Sequence, residues 1–461
     1  MRGLRLSDLS GRSRRRLLAR LSPPQLIALV YFVGIGLGTA LLLLPGMTTA
    51  GAALNTVDLL FTATSAICIT GLVVADTGEA FTRLGQWSIL LLAQIGGLGI
   101  LTFGTLFALM TGRRVNFRER QHLAQQINAL DAGGVLALIR TIFLYTLVAQ
   151  ATGTVLLAFR FVPQFGWGEG LYQAFFHAVS AYNNAGFVVL PGGMVPYAQD
   201  PLVSLTISVL IILGGLGFLV QLNALLHLTR GRRHRLLVYS KLTLLTTGFL
   251  LLMGTVLILA LEWNNSRTLG TLSPSGKLIA AFFQSVTPRS GGFATVDISG
   301  LTSATLFLMI ALMFIGANSG STGGGIKTST FAILVGSAWN MVSGRGELIA
   351  FRRRIESENV VRAGTVTTLY ALLVAAAFFA LLATNPKLGF TDLLFETVSA
   401  AATVGLSMNT TPRINDPGLV ILTVLMYLGR IGPVTFVVAF NLRRQQRHGI
   451  DYPVERDILV G

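Results

Sequence analysis

Charged residues and cysteine are both scarce in this chain. Of its 461 residues only 12% are charged, and Asp and Glu together number 19 against 35 Lys and Arg. The single cysteine, Cys68, excludes an intrachain disulfide and a cysteine-based metal site, and it is best interpreted as a small buried hydrophobe. A soluble domain of this length cannot stay dispersed with so few charges, and the mean hydropathy is +0.68. The composition therefore indicates a membrane protein.

The net charge of +16 is placed unevenly along the chain. Five stretches hold 25 of the 35 basic residues, namely 1–20, 112–120, 230–241, 345–362 and 443–461. Outside the apolar runs, the connections that alternate with these stretches hold only seven basic residues: Arg83, Arg160, Arg267, Lys277, Arg289, Lys387 and Arg413. This alternation follows the positive-inside rule, so we expect the basic stretches and both termini on the cytoplasmic side of the cell membrane. There they can touch anionic lipid, whereas nucleic-acid binding is not favoured.

Four copies of one motif recur along the chain. Each begins at Phe, continues through Ser or Thr and small residues, and ends at a Gly that Leu or Phe follows. The copies occupy residues 61–72, 176–187, 283–293 and 395–406, and the third is one residue shorter. Their glycines, about 105 to 115 residues apart, are Gly71, Gly186, Gly292 and Gly405. Such periodicity predicts four quasi-equivalent units.

Apolar runs flank each copy. A run of about 20 residues can cross the ~30 Å hydrocarbon core, whereas a segment of about a dozen cannot. We predict eight full spans at 25–44, 86–110, 135–161, 202–228, 242–261, from about 301, 364–383 and 418–440. We predict four half-spans at 58–67, 170–181, 276–286 and 390–402. The basic start resembles a secretory signal, but the first run is long for one and the cleavage site is weak, so we interpret it as a retained span.

The pattern predicts an all-α membrane protein with four membrane–pore–membrane repeats around a pseudo-fourfold pore. This means eight full transmembrane helices plus four re-entrant pore helices. The alternative is that the short segments are interfacial or buried bundle helices, but four equivalent half-helices that each end in a glycine loop favour the pore. The predicted parts are a basic N-terminus at 1–22, pore repeats at 23–112, 113–229 with an amphipathic lead, 230–344 and 345–442, and a C-terminus at 443–461.

The four loops contain no carboxylate, which bears on the ion they could hold. A dehydrated K⁺ needs several oxygen ligands at once, and a ring of backbone carbonyls supplies them. Glycine frees the backbone for this, and each half-helix directs its negative end at the ion. A divalent cation would call for Asp or Glu instead. We predict K⁺ binding, centred on the four glycines, by the backbone of Ile69, Thr70, Gly71, Asn184, Ala185, Gly186, Ser290, Gly291, Gly292, Thr403, Val404 and Gly405, hereafter the glycine loops.

The chain resembles the membrane subunits of the Trk/Ktr/HKT superfamily of potassium transporters, most closely the KtrB branch. The resemblance runs from residue 24 onward and is most specific at 180–187, 320–328 and 429–433. It implies a homodimer on a cytoplasmic ring of nucleotide-binding, KtrA-like regulatory subunits, with no nucleotide bound by this chain itself. Members with Ser at the first loop glycine tend toward sodium, so Gly71 favours potassium. The third loop is richer in Gly and Pro than the family pattern, which leaves the selectivity ratio open.

A glycine-rich polar stretch at 316–327, hereafter the polar loop, interrupts the last span of the third unit. Glycines combined with Ser, Thr and Asn cannot form a lipid-facing helix, so the helix must break here. A phosphate-binding loop is not favoured, because Ile326 separates Gly325 from Lys327 and no strand–loop–helix surrounds them. The resemblance implies a loop that gates conduction. The candidate gate residues are Gly316, Asn318, Gly320, Ser321, Thr322, Gly323, Gly324, Gly325, Lys327 and Arg430.

Arg430 lies in mid-span, where an ionisable group is costly and by default marks an ion pathway. It occupies the position that Gly97 and Gly215 hold in the first two units. We hypothesise that it contacts the polar loop and sets an electrostatic barrier to cations. The alternative is a snorkelling or structurally paired arginine. Four polar residues in one column of the pore helices are expected to brace the loops, Thr62, His177, Gln284 and Glu396, whereas Arg289 receives no role.

Together these features predict potassium uptake across the cytoplasmic membrane by the pore-forming subunit of a Ktr-type system. A sodium-selective or non-selective monovalent cation channel of the same fold is the alternative. An intramembrane enzyme would need a Ser/His pair or two facing carboxylates in the spans, and the sequence offers neither arrangement.

Overall fold

A computed structural model describes residues 23–110, 134–230, 236–344 and 347–432, in which the regular secondary structure is almost entirely helical. The helices are α1 (Pro23–Leu42), α2 (Thr56–Ile67), α3 (Thr77–Ala80), α4 (Arg83–Met110), α5 (Gly134–Phe165), α6 (Trp167–Tyr182), α7 (Pro201–Leu216), α8 (Phe218–Arg230), α9 (Val238–Glu262), α10 (Pro274–Val286), α11 (Ser303–Phe314), α12 (Thr328–Val342), α13 (Ser357–Thr384), α14 (Phe390–Ala401) and α15 (Asp416–Ile431). Strands β1 (Ile349–Ala350) and β2 (Arg353–Arg354) form an antiparallel hairpin.

The first long helix of each repeat has the length and composition of a membrane span. Within the described residues these spans are Gln25–Leu42, Arg140–Phe165, Val238–Glu262 and Ser357–Thr384. Large apolar side chains cover their outer faces, among them Phe32, Phe159, Leu252 and Phe379, each at least 67% exposed. A soluble surface rarely carries apolar patches of this extent. The chain is thus built as a multi-pass membrane protein.

The second long helix is broken in each of the first three repeats, which corrects the uninterrupted spans predicted at 86–110 and 202–228. Helix α4 contains Gly99 at φ 52° and ψ −167°. Helix α7 ends before Gly217 at φ 83°, and the chain bends by 106° into α8. Helix α15 ends before Gly432 at φ 86°. Glycine adopts these left-handed angles readily, and they interrupt the helix. The break that the sequence predicted only for the third repeat is therefore shared by the first two, and in the fourth repeat the described residues stop where α15 ends.

Short helices α2, α6, α10 and α14 lie where the four half-spans are predicted. Asn55 caps α2 in a reciprocal capping box with Asp58, and Ser273 caps α10 through a bond from the Gly276 amide. The phenylalanine that opens each motif is fully buried and anchors its short helix in the core. These residues are Phe61, Phe176, Phe283 and Phe395.

The short helices close a ring between the repeats. In the first, second and fourth repeats the short helix packs against both long helices of its own repeat, and in the third α10 packs against α9. Each short helix also packs against the second long helix of the repeat before it. The cross-repeat pairs are α2 with α15, α6 with α4, α10 with α7, and α14 with α11. The Tyr427 hydroxyl donates to the Ala28 carbonyl at 2.8 Å and so joins the last repeat to the first. Four quasi-equivalent units thus surround one centre.

Several predicted features lie outside the described residues. They are the N-terminus at 1–22, the amphipathic lead at 113–130, residues 231–235 of the basic stretch at 230–241, the end of the last span after 432 and the C-terminus at 443–461. The repeat boundaries and the sidedness of the termini stay predictions.

Candidate ion pathway

The four glycine loops meet at one centre. A β-carbon added at any of their third residues would lie within 3.0 Å of a neighbouring loop, closer than real β-carbons approach. The nearest atoms are Ala185 O at 2.5 Å for Gly71, Gly292 Cα at 2.9 Å for Gly186, Gly186 Cα and Val404 O at 2.7 Å for Gly292, and Thr70 O at 2.0 Å for Gly405. Each glycine therefore faces an adjacent loop, and a side chain would fill the space between them.

All four loops share one unusual backbone conformation. In each, the first and third residues have positive φ. The first-position angles are 56° at Ile69, 59° at Asn184, 67° at Ser290 and 47° at Thr403. The glycines follow at 88°, 72°, 75° and 92°. β-Branched residues such as Ile69 and Thr403 rarely adopt these angles, and residues held there cost ~1–3 kcal/mol each and cluster at functional sites. Four equivalent strained positions around one centre indicate a common task.

Backbone bonds fix each loop to the end of its short helix. The amides of Thr70, Ala185 and Val404 each donate to a carbonyl five residues earlier, at 2.7 to 2.9 Å. In the third repeat the Gly291 amide donates to the Thr287 carbonyl, four residues earlier, at 2.7 Å. The third motif is therefore one residue shorter in the connection between helix and loop, and the loop itself keeps the backbone conformation of the other three.

A hydroxyl at the fifth motif position ties every loop to its helix. The motif shows this Ser or Thr, but the sequence alone did not indicate its role. Two hydroxyls accept from the loop glycine, and two donate to the carbonyl after it. The bonds are Gly71 N to Ser65 Oγ at 3.0 Å, Gly405 N to Ser399 Oγ at 3.1 Å, Ser180 Oγ to Phe187 O at 2.9 Å, and Thr287 Oγ1 to Phe293 O at 2.6 Å.

The column of polar residues that was expected to brace the loops divides into two cases. Three members reach the chain that follows their own loop. The bonds join Val189 N to His177 Nε2 at 3.3 Å, Gln284 Nε2 to Thr295 Oγ1 at 3.4 Å, and Met408 N and Thr411 Oγ1 to the Glu396 carboxylate at 3.2 and 2.7 Å. The hydroxyl of Thr62 donates only to Asp58 O in its own helix, because this side chain is too short to cross.

The polar loop lies directly against two of the glycine loops. The Gly324 amide donates to Ser290 Oγ at 3.1 Å. A β-carbon at Gly323 would lie 2.9 Å from Ser290 Oγ, and one at Gly324 would lie 2.3 Å from Thr403 Oγ1. Only glycine permits this approach, so the polar loop runs beside the third and fourth glycine loops.

Backbone groups freed by the helix break in the second repeat pair with the polar loop. The amides of Asn318 and Thr322 donate to the carbonyls of Gly215 and Gly214 at 3.1 and 3.3 Å. In return the Phe218 amide donates to Gly320 O at 3.2 Å. Non-helical backbone at membrane depth requires such partners. The polar loop is therefore attached to the second repeat as well as to the glycine loops.

The side chains within the polar loop also stabilise its fold. The Lys327 ammonium donates to Gly323 O at 2.8 Å, and the Ser321 hydroxyl donates to Asn318 O at 2.6 Å. Gly316 and Gly325 pack together, since a β-carbon at Gly325 would lie 2.8 Å from Gly316 Cα. Lys327 thus closes its own loop, and in the described ranges no strand precedes it as a phosphate-binding loop would require.

Arg430 contacts the polar loop, as the sequence suggested. Its Nη1 donates to Thr322 O, its Nη2 donates to Gly96 O at 2.8 Å, and its Nε donates to the Tyr31 hydroxyl at 3.1 Å. The side chain is buried, so it does not snorkel to the interface. Among the described residues no carboxylate pairs with it. Within this part of the chain, the positive charge of Arg430 therefore lies beside the polar loop with neutral hydrogen-bond partners alone.

Known proteins with similar sequences are cation transporters. A family profile described as "TrkH: Cation transport protein" matches residues 26–449. Ktr system potassium uptake protein B of Bacillus subtilis is 40% identical over 435 residues, covering 94% of this chain and 96% of that protein. The protein of the same name from Vibrio alginolyticus is 41% identical over 436 residues, covering 94% of each. Potassium/sodium uptake protein NtpJ of Enterococcus hirae is 37% identical over 452 residues, covering 97% of this chain and 99% of that protein.

A solved structure has the same fold. The potassium transporter TrkH from Vibrio parahaemolyticus superposes with a TM-score of 0.71 at 18% sequence identity, covering 91% of this chain and 85% of that one. At this identity the likeness concerns the fold alone. Together with the extent of the profile match, it leads to one conclusion: the chain belongs to the TrkH family of cation transport proteins.

Proposed function

We propose that the chain is the pore-forming subunit of a Ktr-type system and conducts K⁺ into the cell. The observation that carries this proposal is the meeting of four strained, glycine-ended loops at one centre. The names of the two Ktr relatives, each "potassium uptake protein B", support the choice of ion and direction. The membrane potential drives such uptake with ~2.3 kcal/mol per charge at 100 mV.

The ligands of the ion in this proposal are backbone carbonyls of the twelve glycine-loop residues. None of these residues has a carboxylate, so the site suits a weakly hydrated monovalent ion better than a divalent one. The C-terminal ends of α2, α6, α10 and α14 precede the loops and add partial negative charge. The hydroxyls at the fifth motif position hold the loops in their conformations. They thereby keep the ring of carbonyls from contracting around a smaller ion.

The proposed architecture has eight crossings and four re-entrant helices. The four apolar spans account for the first crossing of each repeat, and each broken second helix accounts for the other. The short helices enter partway and return through the glycine loops. We retain the repeat boundaries at 112, 229 and 344, with both termini in the cytoplasm.

The polar loop and Arg430 form the gate in this proposal. The loop lies against the third and fourth glycine loops, where it obstructs the path of an ion that leaves them. Arg430 holds the loop through Thr322 O and adds a positive charge that repels cations. Opening requires this contact to break.

The partners belong to the same proposal. We infer a homodimer on a cytoplasmic ring of KtrA-like, nucleotide-binding subunits. The word "system" in the names of the Ktr relatives supports the existence of a second component. Regulation by nucleotide would then be supplied by that component, with the basic cytoplasmic stretches as part of its docking surface.

Complementation of a potassium-uptake-deficient cell tests the proposal. The chain is expressed with and without a regulatory subunit, and growth is scored on limiting K⁺ with Na⁺ varied independently. We expect growth that depends on the chain, that the regulatory subunit enhances, and that a Gly405→Ala variant of equal expression does not support. Failure to grow with both subunits present in the membrane would contradict the proposal.

Sodium transport is the second candidate, and one relative favours it. NtpJ of Enterococcus hirae carries the name potassium/sodium uptake protein. The glycine at position 71 argues for potassium, because the resemblance assigns sodium preference to Ser there. Ion-replacement fluxes in proteoliposomes separate the two: uptake of ²²Na⁺ that K⁺ does not inhibit would establish the sodium alternative.

A further inference from the structure

We propose that Arg289 and Ser290, hereafter the latch, fasten the polar loop to the third glycine loop, so that displacing the polar loop also loosens the ion site. This inference rests on the proposed function and adds that ion discrimination depends on the state of the gate. Both residues belong to the motif copy that departs from the other three. The activity that the latch would affect is the selective passage of monovalent cations.

Ser290 links three parts of the pathway with one hydroxyl. Its Oγ accepts from the Gly324 amide of the polar loop at 3.1 Å and donates to Ala402 O at 3.3 Å, next to the fourth glycine loop. The residue is fully buried and is held at φ 67°. This strained conformation needs support from its surroundings, and the hydroxyl bonds supply it.

Arg289 holds the base of the same polar loop. Its Nη2 donates to Thr328 Oγ1 at 3.0 Å and to Thr247 Oγ1 at 3.4 Å. Thr328 follows the polar loop, and its hydroxyl and amide donate to the carbonyls of Gly316 and Ala317 at 3.2 and 3.3 Å, where the loop begins. One guanidinium therefore fixes the residue that joins both ends of the polar loop.

Arg289 has more hydrogen-bonding capacity than this structure uses. It is buried without an ion-pair partner in the described part of the chain, and its Nε donates to nothing there. Arg289 and Asn318 of the polar loop line one small cavity. The side-chain oxygen of Asn318 is also buried, and it has no hydrogen-bond partner in the described residues. A buried guanidinium with a single strong bond is costly to keep. Its contact with the base of the polar loop gives a reason for its presence.

The other three repeats have no counterpart of the latch. The positions equivalent to Arg289 hold Cys68, Asn183 and Ala402, and those equivalent to Ser290 hold Ile69, Asn184 and Thr403. The polar loop itself follows the third copy, at the end of α11. The departure of this copy from the common motif thus coincides with the element that it contacts.

The first test removes the Ser290 hydroxyl. In proteoliposomes, Ser290→Ala is expected to raise the rate of ⁸⁶Rb⁺ uptake about twofold to tenfold, the range that one hydrogen bond supports, and to lower the Rb⁺/Na⁺ uptake ratio. Ser208→Ala is the matched control, because it removes an equally buried hydroxyl that has no hydrogen-bond partner in the described residues. Unchanged rate and ratio, or a faster rate at an unchanged ratio, would overturn the latch.

The second test reads the position of the polar loop without relying on transport. The native Cys68 is replaced by Cys68→Ala, and the buried Thr322 becomes a reporter through Thr322→Cys. Thiol-reagent modification of this reporter is expected to accelerate in the Ser290→Ala and Thr328→Val backgrounds and not in Ser208→Ala. Equal modification rates in all backgrounds would refute the latch, whether or not the protein conducts. A wild-type protein that conducts neither ion would instead contradict the proposed function.

Arg289→Lys adds a variant that conserves charge. Lysine has one nitrogen on a flexible stem and cannot reproduce the planar contacts of a guanidinium. We expect Arg289→Lys and Thr328→Val each to raise uptake and lower the Rb⁺/Na⁺ ratio, because both variants lose the bond between the guanidinium and the Thr328 hydroxyl. If Arg289→Lys behaved like the wild type while Thr328→Val did not, Arg289 would not be part of the latch.

Discussion

At the scale of single residues, the four glycines show most clearly how an absent side chain creates a site. Their identity and spacing were evident in the sequence, and so was the Phe that anchors each short helix. The positive φ of the residue two positions earlier was not predictable, because Ile69, Asn184, Ser290 and Thr403 share no side-chain chemistry that requires it. The backbone conformation is set by the bonds to the helix end, which involve main-chain atoms and leave no mark in the sequence.

The ring of glycines predicts a sharp effect of a single methyl group. In Gly405→Ala the β-carbon would lie 2.0 Å from Thr70 O at φ 92°, so the fourth loop must move. We expect K⁺ uptake to fall by at least about tenfold, since strain at such angles costs ~1–3 kcal/mol before any clash is counted. Gly248→Ala is the control, because a β-carbon there meets nothing within 4 Å. Equal uptake by the two variants would show that the loops do not face each other.

Glu396 and Thr62 occupy equivalent positions, but we expect their substitution to destabilise the protein by unequal amounts. In Glu396→Gln, one of the oxygens that accept from Met408 N, Ser407 Oγ and Thr411 Oγ1 becomes a donor, and a buried group loses its partner. We expect a loss of ~1–3 kcal/mol in unfolding free energy, against ~1 kcal/mol or less for Thr62→Val, whose bond is local. Thermal unfolding in detergent measures both. A larger effect at Thr62 would contradict the bracing role of Glu396.

At the scale of elements, the short helices and first spans were predictable from apolar run length, and the helix breaks were not. Glycine is common in membrane helices, so Gly99, Gly217 and Gly432 gave no signal by type alone. Their alignment with the polar loop of the third repeat was the available clue, since corresponding positions should share a break. The backbone groups that a break frees, such as the Gly214 and Gly215 carbonyls, need tertiary partners such as the Asn318 and Thr322 amides, and the sequence does not reveal these partners.

Arg430 ties three elements together, and its removal should open the pathway. Arg430→Ala abolishes the bonds to Thr322 O, Gly96 O and Tyr31 together with the positive charge. We expect initial K⁺ uptake to rise about tenfold in proteoliposomes without a regulatory subunit, since ~1.4 kcal/mol of lost closure corresponds to that factor. Arg430→Lys, which keeps the charge, should lie between this variant and the wild type. Arg362→Ala, at an exposed surface ion pair, is the control. An Arg430→Ala protein with unchanged rate and affinity would exclude the gating role.

At the scale of the whole molecule, the sequence predicted a family of transporters and not enzymes, and the match to the TrkH family confirms this. The fourfold repeat also predicted that the units would meet, and the short helices do pack across the predicted repeat boundaries in the described residues. The assembly of the chain with other subunits could not be predicted from a single sequence in the same way. The dimer and the regulatory ring involve surfaces whose partners are separate molecules, and no internal pattern encodes the partner's side of such a contact.

A pore driven by membrane potential predicts voltage-dependent accumulation. At 100 mV, negative inside, the driving force of ~2.3 kcal/mol per charge corresponds to a K⁺ gradient of about fiftyfold. Proteoliposomes that contain the purified chain should approach this gradient when a proton ionophore and a pH difference impose the potential. They should accumulate little K⁺ at zero potential, and liposomes without protein serve as the control. Equal accumulation with and without a potential would contradict conduction of an uncompensated cation.

The central claim is that backbone oxygens of the four glycine loops surround a dehydrated monovalent cation. Anomalous X-ray diffraction from crystals grown in Rb⁺ tests it most directly, because Rb⁺ substitutes for K⁺ and can be located by its own scattering. The account predicts anomalous peaks on the axis between Gly71, Gly186, Gly292 and Gly405, within bonding distance of loop carbonyls. Peaks only at carboxylates elsewhere in the protein, with none between the four loops, would contradict it.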